Sequence, residues 1–255
     1  LYYPKKKAQL LDVSDQLPEV RRLISAEKYD EAAELMPKVH AQRSKGESGS
    51  TSSLRDPYQP LCSILLGTET VGPFRGYRRG VDFSTGRVWM EWTDDGGTFT
   101  REAFVSRGSD TVFVRIRGSG PRSISYRIAV GEARNEQANT TTWAGSGDVE
   151  FTVTHRESTS DHVLTFAAHY STGLSFGAAC GVEAKGGQIH VEGTELIVEG
   201  SDEVILRARL FVGEKPEVVL PGLAAACADA SASFDAALAE HADLHGRLFG
   251  AMNLD

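Results

Sequence analysis

The sequence predicts a mainly β fold, a large super-sandwich of two antiparallel sheets with short N-terminal helices and a C-terminal linker helix. Three observations carry this. At least ten short runs rich in Val, Ile, Phe, Trp and Thr recur at near-even spacing between Tyr58 and Val212, with Gly, Asp or Ser turns between them. No strand–helix alternation interrupts them, which argues against a parallel sheet. Apolar residues at helical spacing are confined to the two ends of the chain.

The first segment, residues 1–40, is predicted to be helical and to pack on the sandwich. Pro18 follows Asp15 as a first-turn residue, then Val20, Leu23 and Ile24 recur at helical spacing, as do Tyr29, Ala32, Ala33 and Met36. Two amphipathic helices broken near Ser25–Lys28 satisfy this pattern, with Pro37 ending the second or starting a turn. Residues 41–57 have almost no apolar side chains and read as a flexible loop. Gly46 and Gly49 in that loop lack the lysine and hydroxyl of a phosphate-binding loop.

The sandwich is assigned to residues 58–222. It opens with Tyr58–Leu66 and continues in a meander of Val81–Phe83, Arg87–Trp92, Thr98–Ser106 and Thr111–Arg117. Ser123–Val130 places Ile124, Tyr126, Ile128 and Val130 on one face. Val149–Thr154 and His162–Tyr170 follow, then Gln188–Glu192 and Glu195–Glu199 flank Gly193 as a tight hairpin. Val204–Val212 closes the series with Val204, Leu206, Ala208, Leu210 and Val212 inward, and Arg207 and Arg209 outward. Residues 223–255 form a helical linker, with helix over Leu223–Phe249, Ser233 or Asp235 as a cap, and Ala237, His241, Leu244 and Leu248 as its stripe.

Composition narrows the function classes. A chain of 255 residues, 40% hydrophobic and 24% charged, buries a substantial core. The net charge of −8 argues against a nucleic-acid partner, and Lys5–Lys7 reads as a solvated end. No apolar run approaches the roughly 20 residues of a membrane helix, so no membrane partner is expected. Cys62, Cys180 and Cys227 are odd in number and far apart, and read as buried small hydrophobes. Unpaired cysteines favour the cytoplasm. Secretion stays open because the sequence begins at Leu1, as a piece of a longer protein or one that has lost a leader.

Chemistry-bearing residues are few. His241 and His245 have the i, i+4 spacing of a metal pair but no HExxH context, so no metal site and no cofactor are predicted. Trp89 shares a strand face with Arg87 and Glu91, and Trp143 has polar neighbours; each can stack on a sugar ring or pack against protein. These two are the candidate substrate-binding residues. Asp82, Glu91, Asp94, Asp95 and Glu102 crowd the meander, yet spacing across strands does not give the roughly 5 to 10 Å separation that glycoside hydrolysis needs. No GxSxG elbow exists, and no catalytic residue is assigned.

Three ordered motifs carry a resemblance: Tyr58-Gln59-Pro60-Leu61; YRRGVDFSTG (Tyr77–Gly86) leading to TREAFVS (Thr100–Ser106); and HADLHGRLF (His241–Phe249). Together they resemble the N-terminal domain of glycoside hydrolase family 95, which contains α-L-fucosidases and α-L-galactosidases. The resemblance implies a β-sandwich joined through the helical linker to an (α/α)6 barrel of the same parent chain. That barrel would hold the catalytic groups and act with inversion, so this chain alone would be inactive. It implies fucosylated or galactosylated glycans as possible ligands. Cys62-Ser63 and Leu244-His245 depart from the family pattern, and its early strands are expected ahead of Leu1. A stand-alone carbohydrate-binding sandwich and a structural or dimerising module are the alternatives. Tyr77–Arg79 and Thr100–Glu102 are read as residues that fix strand ends and turns.

Overall fold

The computed structural model describes residues 12–43, 61–121, 123–131, 151–170, 173–231 and 233–251. The chain divides into two compact units, Leu1–Gln59 with Glu136–Asp148, and Pro60–Asn135 with Val149–Asp255.

In the first unit a 3-10 turn, Ser14–Gln16, runs into α1 (Leu17–Ser25), and α2 spans Tyr29–Arg43. The break falls where the spacing predicts it: Glu27 takes φ 58, and the Lys28 N–H donates to Leu23 O at 2.9 Å. Leu23 and Ala32 are the buried contacts of the pair. Arg43 reaches back from the end of α2 to Asp15, 2.6 Å away, and ties the two ends together. Pro37 lies inside α2, not at its end, so the helix continues past a residue that offers no amide donor.

The second unit is the predicted sandwich. An eight-stranded antiparallel sheet holds β2 (Arg75–Asp82), β3 (Arg87–Asp94), β4 (Gly97–Val105), β5 (Val112–Gly118), β7 (Phe151–Ser158), β8 (Val163–Tyr170), β9 (Ser175–Lys185) and β12 (Glu203–Val212). A four-stranded sheet holds β1 (Ser63–Gly67), β6 (Ile124–Gly131), β10 (Gln188–Glu192) and β11 (Glu195–Ser201). The orders are β2-β3-β4-β5-β12-β9-β8-β7 and β1-β6-β11-β10.

Between the sheets lie Ile124, Ile128 and Val130 of β6, Leu196 and Val198 of β11, and Phe166, Tyr170, Phe176, Cys180, Val204 and Leu206 of the large sheet, all buried. Gly193 takes φ 62 in the two-residue loop between the paired Glu192 and Glu195, as the hairpin pattern predicts. Leu210 and Val212, expected inward, are 46% and 40% exposed, unlike Val204, Leu206 and Ala208 of the same series, which are buried.

Two helices cover the outer face of the large sheet. Helix α3 (Pro216–Ala228) packs Leu220, Leu223 and Cys227 on Val163, Ala167, Ala179 and Phe211. It approaches to backbone contact because β9 offers glycine: a Cβ at Gly181 would lie 2.1 Å from Cys227 O. Helix α4 (Phe234–Phe249) packs Phe234 and Ala237 on Phe104, Phe113 and Ile205, and Ser233 is its cap, with Oγ accepting from the Ala236 N–H at 3.2 Å.

Several elements depart from the sequence reading. Strand β9 is unpredicted because its FGAACG run is too small to register as β-rich. Strand β2 begins at Arg75, and Phe83 falls in the turn after it. Helix α3 starts at Pro216, with Pro221 inside it and not ahead of it. On α4 the stripe stops early, since Leu248 is exposed. No helix among the described residues is long and apolar enough to cross a membrane.

Candidate functional site

Strand register determines which meander side chains meet on the outer face. One row across the sheet reads Gly80, Trp89, Glu102, Arg115, Ile205 and Glu183, and a parallel row reads Arg78, Glu91, Thr100, Arg117, Glu203 and Lys185. Glu102 is the centre of these rows. Its carboxylate accepts from Arg115 at 2.7 and 3.0 Å, from Arg87 at 2.8 Å and from Arg117 at 2.9 Å. Arg115 also donates to Asp235 of α4 at 2.6 Å, and its guanidinium lies 4.0 Å from the centre of the Phe234 ring. Burial pushes the Glu102 carboxyl up, but Arg115, Arg117 and Arg87 together hold it below the usual glutamate value. Arg78–Glu91 (2.5 Å), Lys185–Glu203 (2.5 Å) and Arg207–Glu183 (2.7 Å) extend the ladder.

Trp89 stands in the Glu102 row, half-buried. Its indole lies against Gly80, where an added Cβ would come within 2.9 Å of Cε2, Cζ2 and Nε1. One ring face is therefore given to the β2 backbone. Trp143 lies outside the described residues.

On the inner face the structure assembles a groove that sequence reasoning missed. A cavity of about 820 Å³ runs between the Gly67–Val71 segment, Trp92, Phe99, Tyr126 and Val198. Trp92 and Phe99 stack at 5.5 Å, and Arg101 reaches over Trp92 to donate to Tyr126 Oη at 3.2 Å. The available signal is the placement of Trp92 with Val88 and Met90 on the inward face; its pairing with Phe99 needs register.

The meander carboxylates are committed to structure. Asp82 accepts from the Ser84 and Thr85 N–H groups and the Ser84 hydroxyl, which draw its carboxyl down to about 2. Asp94 accepts from the Val71 N–H at 3.2 Å and the Gly96 N–H at 2.7 Å, which pins the groove wall. Asp95 pairs with Arg75, and Glu91 with Arg78. A glycosidase acid must begin protonated, with its carboxyl raised. Glu102 and Asp82 are shifted the opposite way.

His241 and His245 stand together on α4 with ring centres 5.6 Å apart. Both Nδ1 atoms accept from Arg107, His241 from its backbone N–H and His245 from Nε, each at 3.3 Å. Both Nδ1 lone pairs are thus occupied by donors of one residue, the His241 one by an amide and the His245 one by the guanidinium. The described residues contain no group of three or more candidate ligands.

Comparison with known proteins follows the same lines. The family profile for the glycosyl hydrolase family 65 N-terminal domain matches residues 3–210. Curated proteins give no match. Among solved structures, a candidate kojibiose phosphorylase from human microbiome is similar at TM-score 0.47 and 10% identity, over 78% of this chain and 31% of that one. The chain therefore spans about a third of that protein's length. Family 95, suggested by the motifs, is not the family returned. Short motifs at strand ends and turns mark the sandwich better than the sugar, and the coarser statement, an N-terminal domain of a glycoside hydrolase, is what holds. Since the profile covers well over half of its residues, the chain belongs to the glycosyl hydrolase family 65 N-terminal domain family.

Proposed function

We propose that this chain is the non-catalytic sandwich of a glycoside hydrolase whose chemistry is performed by an (α/α)6 barrel on its C-terminal side. In this reading the domains are a helical segment at 1–40, a loop at 41–57, the sandwich at 58–222 and a linker at 223–255. The single observation that carries it is the fate of the meander carboxylates: each of the five is bound to arginine or to turn backbone, and Glu102 and Asp82 are held ionised. Glu102 and Asp82 are thus lowered where a general acid needs a raised carboxyl.

The parent enzyme is proposed to hydrolyse α-L-fucosides or α-L-galactosides with inversion, on the strength of the Tyr58–Leu61, Tyr77–Gly86 and His241–Phe249 motifs. The test assays the full parent protein and this chain separately on aryl α-L-fucoside, aryl α-L-galactoside, and kojibiose with inorganic phosphate. Hydrolysis of either aryl glycoside by the parent and none by this chain is the expected result. Sugar phosphate release from kojibiose would overturn the substrate, and turnover by this chain would overturn the non-catalytic role.

A second reading, glycan binding by the sandwich through Trp89 or Trp143, draws on the half-buried position of Trp89 beside a row of charged side chains. Titration of fucosylated oligosaccharides against tryptophan fluorescence tests it, and an unchanged spectrum at millimolar ligand rejects it.

A further inference from the structure

We propose that His241 and His245, with Arg107, form an acid-released latch that holds α4 against the β2–β3 and β4–β5 turns. The latch is independent of the hydrolase reading, because it lies wholly within this chain.

Both turns are internally hydrogen-bonded. In the β4–β5 turn the Ser106 N–H donates to Thr111 O at 2.8 Å, and Ser106 Oγ accepts from the Gly108 and Ser109 N–H groups. That leaves the Arg107 N–H and guanidinium for the helix. In the β2–β3 turn the Gly86 N–H donates to Asp82 O at 2.8 Å, and Gly86, at φ 67, brings the backbone against both imidazoles. A Cβ there would lie 2.9 Å from His241 Nε2 and 3.0 Å from His245 Nδ1.

Hydrogen bonds set the tautomers. His245 Nε2 donates to Phe83 O at 2.9 Å, so its Nδ1 is the lone pair that accepts from Arg107 Nε. His241 Nδ1 accepts from the Arg107 N–H, which leaves the proton on Nε2, buried and turned toward the Thr85 backbone carbonyl. The His241 ring is buried and stacks on Phe104 at 5.1 Å, and His245 stacks on Phe249. The two Nδ1 atoms therefore both accept from one arginine, His241 from its N–H and His245 from its Nε.

A proton on Nδ1 of His241 would face the Arg107 N–H, donor against donor, with the guanidinium and the second imidazole close by. The other charged groups around the pair are already committed or turned aside. Asp82 is bonded to its own turn, Arg87 to Glu102, and Asp243 to Arg247 at 2.6 Å. Glu240 lies over Gly108, and Asp110 sits at φ 51 in the β4–β5 turn. Among the described residues no carboxylate pairs with either ring. Burial, then His245 and Arg107, accordingly lower the His241 pKa from its ordinary 6.5, against a smaller upward pull from the Thr85 backbone carbonyl.

The sign follows from which state takes the proton. Above pH 6.5 both docked and released α4 carry neutral His241, and the latch is at full strength. Below it the released state binds a proton that the docked state refuses. The released fraction then rises, with a slope of at most about tenfold per pH unit, until the lowered docked value is reached.

Hydrogen exchange of the 234–249 region, corrected for intrinsic rates and compared with β8 and β12, reads this directly at pH 7.5, 6.5 and 5.5. Protection of α4 is expected to fall between pH 6.5 and 5.5, by up to about fivefold because the released form is already half protonated at 6.5, while β8 and β12 hold theirs. His241→Asn keeps an acceptor for Arg107 without titrating, and His241→Phe keeps the ring, so both are expected to flatten the pH response. Either folded variant suffices for this comparison. Equal pH response in α4 and the reference strands, or an unchanged response in the variants, would overturn the latch.

Discussion

Replacing Glu102 by alanine removes the acceptor shared by three arginines. The Glu102 side chain is 9% exposed and that of Arg115 is 7% exposed, so this pair is desolvated. After the change Arg115 keeps Asp235 and the Phe234 ring, and Arg87 and Arg117 lose the carboxylate between them. Breaking one partner out of a buried ion pair costs about 3–5 kcal/mol. Arg87 and Arg117 are 34% and 47% exposed, so water relieves them, and a loss near the low end, about 3 kcal/mol, is expected. At roughly 2–4 °C per kcal/mol for a domain of this size, Tm falls by about 6–12 °C. Urea unfolding of Glu102→Ala, Arg115→Met and the double variant gives the coupling, expected at about 1.5–3 kcal/mol. A loss under about 1 kcal/mol would refute the hub, because that is the value of an exposed pair. Acid adds an independent check. The Glu102 contribution is complete above the ordinary glutamate value of 4.5 and disappears as pH falls through the lowered folded value. This window opens below 4.5, whereas that of His241 opens below 6.5.

Two further outcomes follow from the packing. Gly181→Ala drives a methyl to 2.1 Å from Cys227 O and 3.2 Å from Ala228 N, backbone atoms that cannot turn aside, so α3 must lift. A loss of about 1–3 kcal/mol or more in thermal unfolding is expected, and a neutral variant would contradict the close approach. Burial pushes the Cys62 thiol up to about 12 and raises those of Cys180 and Cys227 as well. A chromogenic disulfide reagent at pH 8 is therefore expected to label the native protein slowly and all three thiols at once in urea, and rapid native labelling of Cys180 would refute their burial.

Periodicity carried the sandwich. The inward series of β6 and the Gly193 hairpin were legible because one strand's alternation or one turn's chemistry suffices for each. Strand β9 was not, because its face against α3 is built from glycine and alanine, which pack by closeness and not by bulk. The hub was half legible. Alternation places Trp89 with Arg87 and Glu91, and separately Arg115 with Arg117, but nothing within one strand says that Glu102 falls between them. Register supplies that, and register is a property of pairs. The histidine pair was visible as a spacing, while its meaning depends on Arg107, which lies 134 residues away from His241.

The position of β12 also governs when this protein can be assembled. In the eight-stranded sheet it lies between β5 and β9, so the last of the described strands joins the β2–β5 meander to the β7–β9 group. During synthesis both halves must wait with open edges until Val212 has left the ribosome, and only then do the Arg115–Ile205 and Val182–Leu206 pairs form. Nascent chains halted before Glu203 would present two bare strand edges to one another and to their neighbours, which makes the final strand the step at which chaperone protection counts most.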